Sequence, residues 1–382
     1  MANERRPMLV CVYLRGAADA LSLVVPYAEE RYHALRPTLA IARPDDRRAK
    51  KGDRALDLDG QFGLHPSMGA LLPLFHAKEL AIVHAVGSDD QTRSHFEAQD
   101  RMEHAGAKDQ PAGSGWIARH LRSRPGARAA SLSAVALGTS VPESLRGVPV
   151  AVLQSASEYR LGPSRDDAFA AALAKLYAPS NEPALPFDPD LRDAGREAIT
   201  TLERLRVLEG ESPRGPKYPE GQLGDGLREI ARLARADLGV EVACVDYDGW
   251  DTHFVQSQLL PDLAGKLGAA LHAFREDLGD VMEHVLVVCM TEFGRRAYEN
   301  ASLGTDHGRG GVMFLLGGGV RGGRVLTEWP GLSEEKLEPP GDLAVTIDYR
   351  EILSEIVRSR LANPNDAQVF PSIGARSWGL FG

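Results

Sequence analysis

The chain has 382 residues, 43% of them hydrophobic and 25% charged, with 44 Lys and Arg against 53 Asp and Glu for a net charge of -9. That length exceeds one minimal core and suits a large α/β domain or a domain carrying an insertion, and the composition excludes disordered and fibrous classes. The acidic balance argues against a nucleic-acid partner, which needs clustered cations, and the basic stretch RRAKKGDR at 47–54 reads as a solvated loop.

The first apolar run, MLVCVYL, predicts a buried strand over Leu9–Leu14. It leads into LRGAADAL, where Gly16 and the alanines let the backbone turn and bring the carboxylate of Asp19 to the strand tip. The run is too short for a signal-peptide core, so the chain as supplied is expected in the cytoplasm. A second strand, over Leu80–Val86, is followed by GSDDQTRSHFEAQD. Ser94 and Glu97 there have the spacing of a capping box, in which the serine hydroxyl satisfies a helix amide. A nucleophilic serine facing those amides has the same spacing, so both readings stay open. Thr92 is a second hydroxyl within reach, and His95 is a ligand or a base.

A third strand, Ala134–Leu137, precedes a helical insertion at about 155–238. Its helical stretches DDAFAAALAKLYA, DLRDAGREAITTLERLRVL and GLREIARLARADL are separated by Pro-rich segments. The strand Val240–Asp246 then ends in YDGWDTH. Asp251 and His253, two apart, share one side of an extended segment, and carboxylate with imidazole is a ligand set for zinc, manganese or iron. A helix cap from Asp251 or Thr252 is the alternative, and Asp248 reads as a turn residue.

The strand Val285–Met290 ends in TEFGR, where a buried Glu292 needs a compensating cation that an internal pair with Arg295 would supply. GTDHGRGG then sets Asp306 and His307 between glycines ahead of a strand over Val312–Leu316, in reach of one metal or two. Arg295 or Arg309 is the candidate to hold an anionic substrate by paired hydrogen bonds. GGGVRGG at 317–323 satisfies the dinucleotide pattern, but RVLTEWPGL after it forms no amphipathic helix, so no nucleotide site is expected. DYREILSEIVRSRL predicts a final helix over 348–361. Cys11, Cys244 and Cys289 lie in apolar runs as small buried hydrophobes, and no stretch is long enough to span a membrane.

Apolar strands alternating with helical patterns imply a mostly parallel sheet with helices on both faces, whose ligands sit outside the carboxyl ends of the strands. Acid, histidine and hydroxyl clusters at those ends point to metal-assisted hydrolysis. In their order, YLRGAADALSLVVPYAEERYHALRPTLAI, FGLHPSMGALLPLF, IVHAVGSDDQTRSHFEAQD, DGWDTHFVQ, TEFGRRAYENASLGTDHGRGG and LLGGGVRGG resemble the bacterial family catalogued as domain of unknown function fifteen-oh-one, over roughly residues 8–372.

That family is grouped with the alkaline phosphatase and sulfatase superfamily. The resemblance therefore implies a doubly wound α/β/α sandwich over 1–382 with one or two divalent metal ions at the strand ends, zinc, manganese, calcium and magnesium not being distinguished. It also implies Asp19, Asp251, His253, Glu292, Asp306 and His307 as ligands and Ser94 as nucleophile, acting on a small anionic phosphate or sulfate ester. Members are usually exported, which would place the protein in the periplasm if a leader is removed. The expected activity is a metal-dependent ester hydrolase. The alternative is a catalytically degenerate relative that serves as a binding or assembly protein.

Overall fold

β1 (Met8–Leu14) is buried along its whole length because its alternate side chains enter two different cores. Val10, Val12 and Leu14 belong to one apolar cluster, and Leu9, Cys11 and Tyr13 to the other. A strand covered on both faces carries no polar alternation, which is why MLVCVYL is apolar throughout. The computed structural model describes residues 5–106, 113–126, 132–155, 172, 175, 177, 189–208, 215–371, 373–374 and 376–382.

The remaining strands, in chain order, are β2 (Val24–Val25), β3 (Leu56–Asp57), β4 (Gly63–Leu64), β5 (Leu80–Gly87), β6 (Ala134–Leu137), β7 (Ala151–Leu153), β8 (Val242–Tyr247), β9 (Val285–Met290), β10 (Gly311–Gly317), β11 (Arg324–Leu326) and β12 (Ile347–Asp348). A large sheet runs β11-β5-β10-β9-β1-β8-β6-β7, with β12 also pairing to β5, while β2, β4 and β3 form a small antiparallel sheet. In the large sheet, β1 lies parallel to β8 and β9, β6 parallel to β7 and β8, and β11 and β12 parallel to β5. β10 alone is reversed, antiparallel to both β5 and β9. The protein is thus a mixed α/β fold around a large, mostly parallel sheet.

The reversal of β10 has a direct consequence for placement. Its incoming loop, not its outgoing one, reaches the edge where β1, β5, β8 and β9 end. Loops 15–19, 88–94, 248–255, 291–296 and 303–310 therefore share one edge, and GGGVRGG leaves β10 at the opposite edge.

Helices cover both faces. Leu227, Ile230 and Leu233 of the helix Gln222–Arg235 and Leu260, Leu267 and Leu271 of the helix Gln256–Leu278 enter the first cluster. Trp116 and Ile117 of the helix Trp116–Ser123 and Ile352 and Leu353 of the helix Tyr349–Glu355 enter the second. Of the expected insertion, the helices Pro189–Leu205 and Gln222–Arg235 are present, the latter packed on the sheet; the helix expected at 166–178 lies largely outside the described residues. The last expected helix is observed as Tyr349–Glu355 continued by a π-helical turn, Ile356–Arg360. All three cysteines are free and buried, and among the described residues no helix is long and apolar enough to cross a membrane.

β5 also carries a histidine into the core. His84 Nε2 donates to the Val24 carbonyl at 2.9 Å, and its Nδ1 accepts from the Ala85 amide at 2.7 Å, so the neutral ring is fully used. Burial pushes His84 down to about 4, as it does His65 and His120. An unfolded histidine takes its proton near pH 6.5, so the unfolded chain binds protons first as the medium is acidified. The stabilisation is complete above about pH 6.5 and is lost as pH falls toward 4, by up to about 3 kcal/mol for one such group. Urea unfolding between pH 7 and 4 should show this decline, and His84→Gln should make it shallower. A slope unaffected by the substitution would remove His84 from the account.

Candidate functional site

The loops at the shared edge are held together by one buried guanidinium. Arg295, five residues past Met290 at the end of β9, is 1% exposed. Its Nε donates to the Ala17 carbonyl at 2.7 Å, one terminal nitrogen to the Thr305 carbonyl at 2.8 Å, and the other to the carbonyls of Gly16 at 2.7 Å and Trp250 at 3.0 Å. That second nitrogen also reaches Asp251 Oδ1 at 2.6 Å. One side chain thus ties together the segments after β1, β8 and β9 and the loop before β10. Gly16 permits the closest approach: its φ is +113°, and a Cβ there would stand 2.6 Å from the Asp251 amide nitrogen.

Around Asp251 Oδ1 three imidazoles converge. His253 Nε2 lies 3.0 Å from it, His307 Nε2 3.1 Å and His95 Nε2 3.4 Å. The Nε2 atoms of His253 and His307 face each other at 2.8 Å. Ligand atoms of His95, Asp251 and His307 all lie within 4.8 Å of one another. Each ring is fixed from behind through its other nitrogen. His95 Nδ1 meets Glu292 Oε1 at 2.9 Å, His307 Nδ1 meets the Arg93 carbonyl at 2.9 Å, and His253 Nδ1 stands 3.5 Å from Asp306 Oδ1.

The outer partners of His95 and His307 are acceptors, so with a cation in place Nδ1 would carry the proton and leave Nε2 free to ligate, whereas without one the 2.8 Å contact between Nε2 of His253 and Nε2 of His307 needs a proton on one of the two. The ligand atoms of His95, Asp251 and His307 thus form one compact group, with His253 Nε2 next to Asp251 Oδ1 and His307 Nε2. His95 Nε2 is buried and has no hydrogen-bond partner. Nitrogen and oxygen donors about 2.0–2.1 Å from a tetrahedral cation stand about 3.3 Å from one another, close to the separations here. Among the described residues His95, Asp251 and His307 are the ones at this edge whose ligand atoms are mutually close enough to hold one cation, a set that suits zinc or another divalent transition metal, and His253 lies beside Asp251 and His307.

Burial pushes the Asp251 carboxyl upward, but the His307 ring and the Arg295 guanidinium outweigh it and bring the group down to about 2. The same holds for Glu292, where hydrogen bonds from His95, Gln99 and the Gly16 amide overcome burial and leave it at about 2. The bond to Glu292 in turn raises His95. Asp306 is lowered by its hydrogen bond from Asn300. Phe293 stacks on His95, with ring centroids 5.2 Å apart, and sits 5.1 Å from His307, giving the rings an apolar backing.

The residues singled out in the sequence divide accordingly. Asp251, His253 and His307 meet at the centre. Glu292 and Asp306 stand behind it as partners of His95 and His253, and the Glu292 to Arg295 pair gives way to Glu292 with His95 and Arg295 with Asp251. Ser94 is the residue before the helix His95–His104, but its side chain makes no capping hydrogen bond, so the capping box does not form. Arg309 pairs with Glu338 and donates to the Ser88 carbonyl at 2.8 Å.

Asp19 is placed in a separate network. Its carboxylate accepts from Arg36 at 2.5 and 3.0 Å, Ser22 Oγ at 2.6 Å and Gln256 Nε2 at 2.6 Å, and both members of the ion pair are fully enclosed. Burial pushes Asp19 upward, and Arg36 more than reverses it. His95 and Phe293 are the residues that local reading underweighted. The signal for His95 was its position at a helix start after a strand, shared with Ser94.

The model of one family matches residues 6–353, the family described as protein of unknown function (DUF1501). The chain belongs to that family. Among curated proteins none matches this DUF1501 member.

The enclosed Asp19–Arg36 pair gives a stability test for this DUF1501 chain. Arg36→Met leaves a carboxylate buried without its cation and should cost about 3–5 kcal/mol in urea unfolding, whereas Asp19→Leu combined with Arg36→Met should recover much of that loss. A single variant within about 1 kcal/mol of the parent would show that Asp19 finds another partner.

Proposed function

We propose that the chain is a metal-dependent hydrolase of phosphate or sulfate esters on an alkaline phosphatase or sulfatase-like scaffold. Its cation would be held by His95, Asp251 and His307, with His253 beside Asp251 and His307. The observation that carries this reading is the cluster of His95, Asp251 and His307 at the shared edge, with the two rings braced through Nδ1. A divalent cation there supplies Lewis acidity toward an ester oxygen.

The chain's own groups do the rest. Glu292 and the Arg93 carbonyl hold His95 and His307 in one tautomer and orientation. Ser94 keeps a hydroxyl uncommitted to the helix cap, beside first-turn amides that favour an anion, and is the candidate nucleophile. Ser94 Oγ would attack phosphorus or sulfur as the bond from that atom to the alcohol oxygen breaks, the alcohol would leave with the proton given up by the serine, and water would then hydrolyse the seryl ester to release phosphate or sulfate. Arg295 orients Asp251 and closes the floor rather than meeting substrate.

A second reading, a binding or assembly protein that keeps the fold without turnover, is favoured by one observation. Asp19, which the family resemblance would make a ligand, is neutralised by Arg36, so a second cation would lack that carboxylate.

Elemental analysis and assays with 4-nitrophenyl phosphate and sulfate separate the two. The hydrolase reading expects about one equivalent of divalent metal, consistent with a single three-residue donor set that leaves one position open for substrate. It expects Ser94→Ala to keep the metal while losing at least about 10³ in turnover. His307→Ala should lose the metal. Turnover that survives Ser94→Ala removes the serine mechanism, and bound metal without turnover on either ester favours the binding protein. A chelator should also lower the melting temperature, by mass action, in proportion to the affinity lost. An unchanged melting curve after metal removal would speak against an occupied centre.

A further inference from the structure

Asp342 is a fully buried carboxylate carried on a closed turn beside the functional edge. Its amide donates to the Glu338 carbonyl at 2.7 Å, and the Glu338 amide returns to the Asp342 carbonyl at 3.0 Å. The Ala297 amide donates to the Gly341 carbonyl at 3.0 Å, and the Gly310 amide to the Leu343 carbonyl at 2.9 Å. The turn is thus stitched to both ends of the segment 297–310, which carries Asp306 and His307.

A carboxylate in that position is costly to bury and needs a cation. Its Oδ2 accepts twice from Arg93, from Nε at 3.0 Å and from a terminal nitrogen. Its Oδ1 has no hydrogen-bond partner among the described residues and stands 3.9 Å from Arg296 Nε. Arg93 is therefore the side chain that Asp342 holds.

The other hydrogen bonds of the Arg93 side chain go to the Pro339 and Gln91 carbonyls, at 3.1 and 3.4 Å. Its main chain has a different task. The Arg93 carbonyl accepts from His307 Nδ1 at 2.9 Å, and Ser94 and the helix that begins at His95 follow directly. Arg93 also has a φ of +50°, in the left-handed region that a residue with a Cβ keeps only when its surroundings hold it there. An anchored side chain and a strained main chain at the centre meet in one residue.

We propose that Asp342 is a positioning residue for the centre: by clamping the Arg93 side chain it holds the Arg93 main chain left-handed, which aims the carbonyl at His307 Nδ1 and sets the start of the helix bearing His95. This rests on the hydrolase reading for the cation, while the brace on His307 exists without one. Asp342 acts through Arg93 and not on the reacting group.

Histidine labelled with nitrogen-15 reads the brace directly by magnetic resonance of the metal-free protein, because an imidazole proton held by a carbonyl exchanges slowly with water. Asp342→Ala should shift or broaden the His307 Nδ1 proton, which is assigned by its absence in His307→Ala. Zinc affinity, measured by competition with a chromophoric chelator, should fall about tenfold, the lower end of what losing a ligand's own partner causes. Two double variants separate positioning from charge neutralisation, since both remove the cation that Asp342→Ala leaves unpaired. Asp342→Ala with Arg93→Gly should recover the His307 signal and zinc affinity severalfold, because glycine adopts positive φ freely. Asp342→Ala with Arg93→Ala should recover neither. Circular dichroism checks folding, and Asp342→Asn, which keeps the side-chain volume, carries the same expected order if Asp342→Ala does not fold.

Equal recovery in the two double variants, a His307 signal unmoved by Asp342→Ala, or a zinc affinity that stays at the parent value overturns the proposal. A parent protein that binds no zinc, with a His307 signal that moves in Asp342→Ala and returns only with glycine, sinks the metal centre and leaves the positioning role standing. Tight zinc and ester turnover in every variant, with the His307 signal unmoved, does the reverse.

Discussion

Arg295 is the constraint on which the functional edge depends. Its planar fork meets backbone carbonyls from the β1, β8 and β10 loops and the Asp251 carboxylate, at 2.6 to 3.0 Å. A lysine has no such geometry: its ammonium is compact and could satisfy only part of the set. A guanidinium enclosed in this way is tolerable only because every direction it faces is an acceptor and one of them is charged. The same contact decides which oxygen of Asp251 faces the imidazoles. Structural closure and the orientation of a functional carboxylate are thus one interaction.

The sheet supplies the second constraint. In a wholly parallel arrangement the loop before β10 would emerge at the far edge, carrying Asp306 and His307 away from Asp251. Reversal of that single strand brings them to the edge where β1, β5, β8 and β9 end. It also carries the glycine-rich segment after β10 to the opposite edge, away from the imidazoles. Arg36 plays a related part nearby, joining Asp19 to the Ala297 carbonyl at 2.8 Å and the Arg296 carbonyl at 2.8 Å, so the turn after β1 is anchored to the loop after β9 twice.

Legibility in the sequence followed burial. Strands buried on both faces, such as β1, β5, β8, β9 and β10, announce themselves as unbroken apolar runs, and each lies within two residues of its expected limits. Short strands such as β7, β11 and β12 carry too few residues for a pattern and exist because a longer neighbour offers free backbone groups. In the site, Asp251, His253 and His307 were visible as ligand types at strand ends.

What was not visible was division of labour. Glu292 and Asp306 have the chemistry of ligands but lie one step behind, because His95 and His253 intervene. Asp19 looks like a ligand until Arg36, seventeen residues later and with no local pattern linking the two, closes on it. Arg295 and Arg309 read as anion binders because sequence shows the fork and not the acceptors already filling it.

On the proposed hydrolase reading, the division of charge would let such a site favour anions despite its carboxylates. Asp251 is shared with Arg295, so it offers a held cation less than a full negative charge. Glu292 and Asp306 remain one ring away, where they strengthen imidazole donors rather than neutralise the centre directly. Asp306 is further offset by Arg296 at 3.4 Å. A divalent cation held by His95, His307 and the compensated Asp251 would keep a net positive field toward its open side. A donor set with carboxylates in place of the histidines would cancel that field. Imidazoles in front and carboxylates behind would therefore let one cation both stay bound and attract the anionic ester of the proposed reaction.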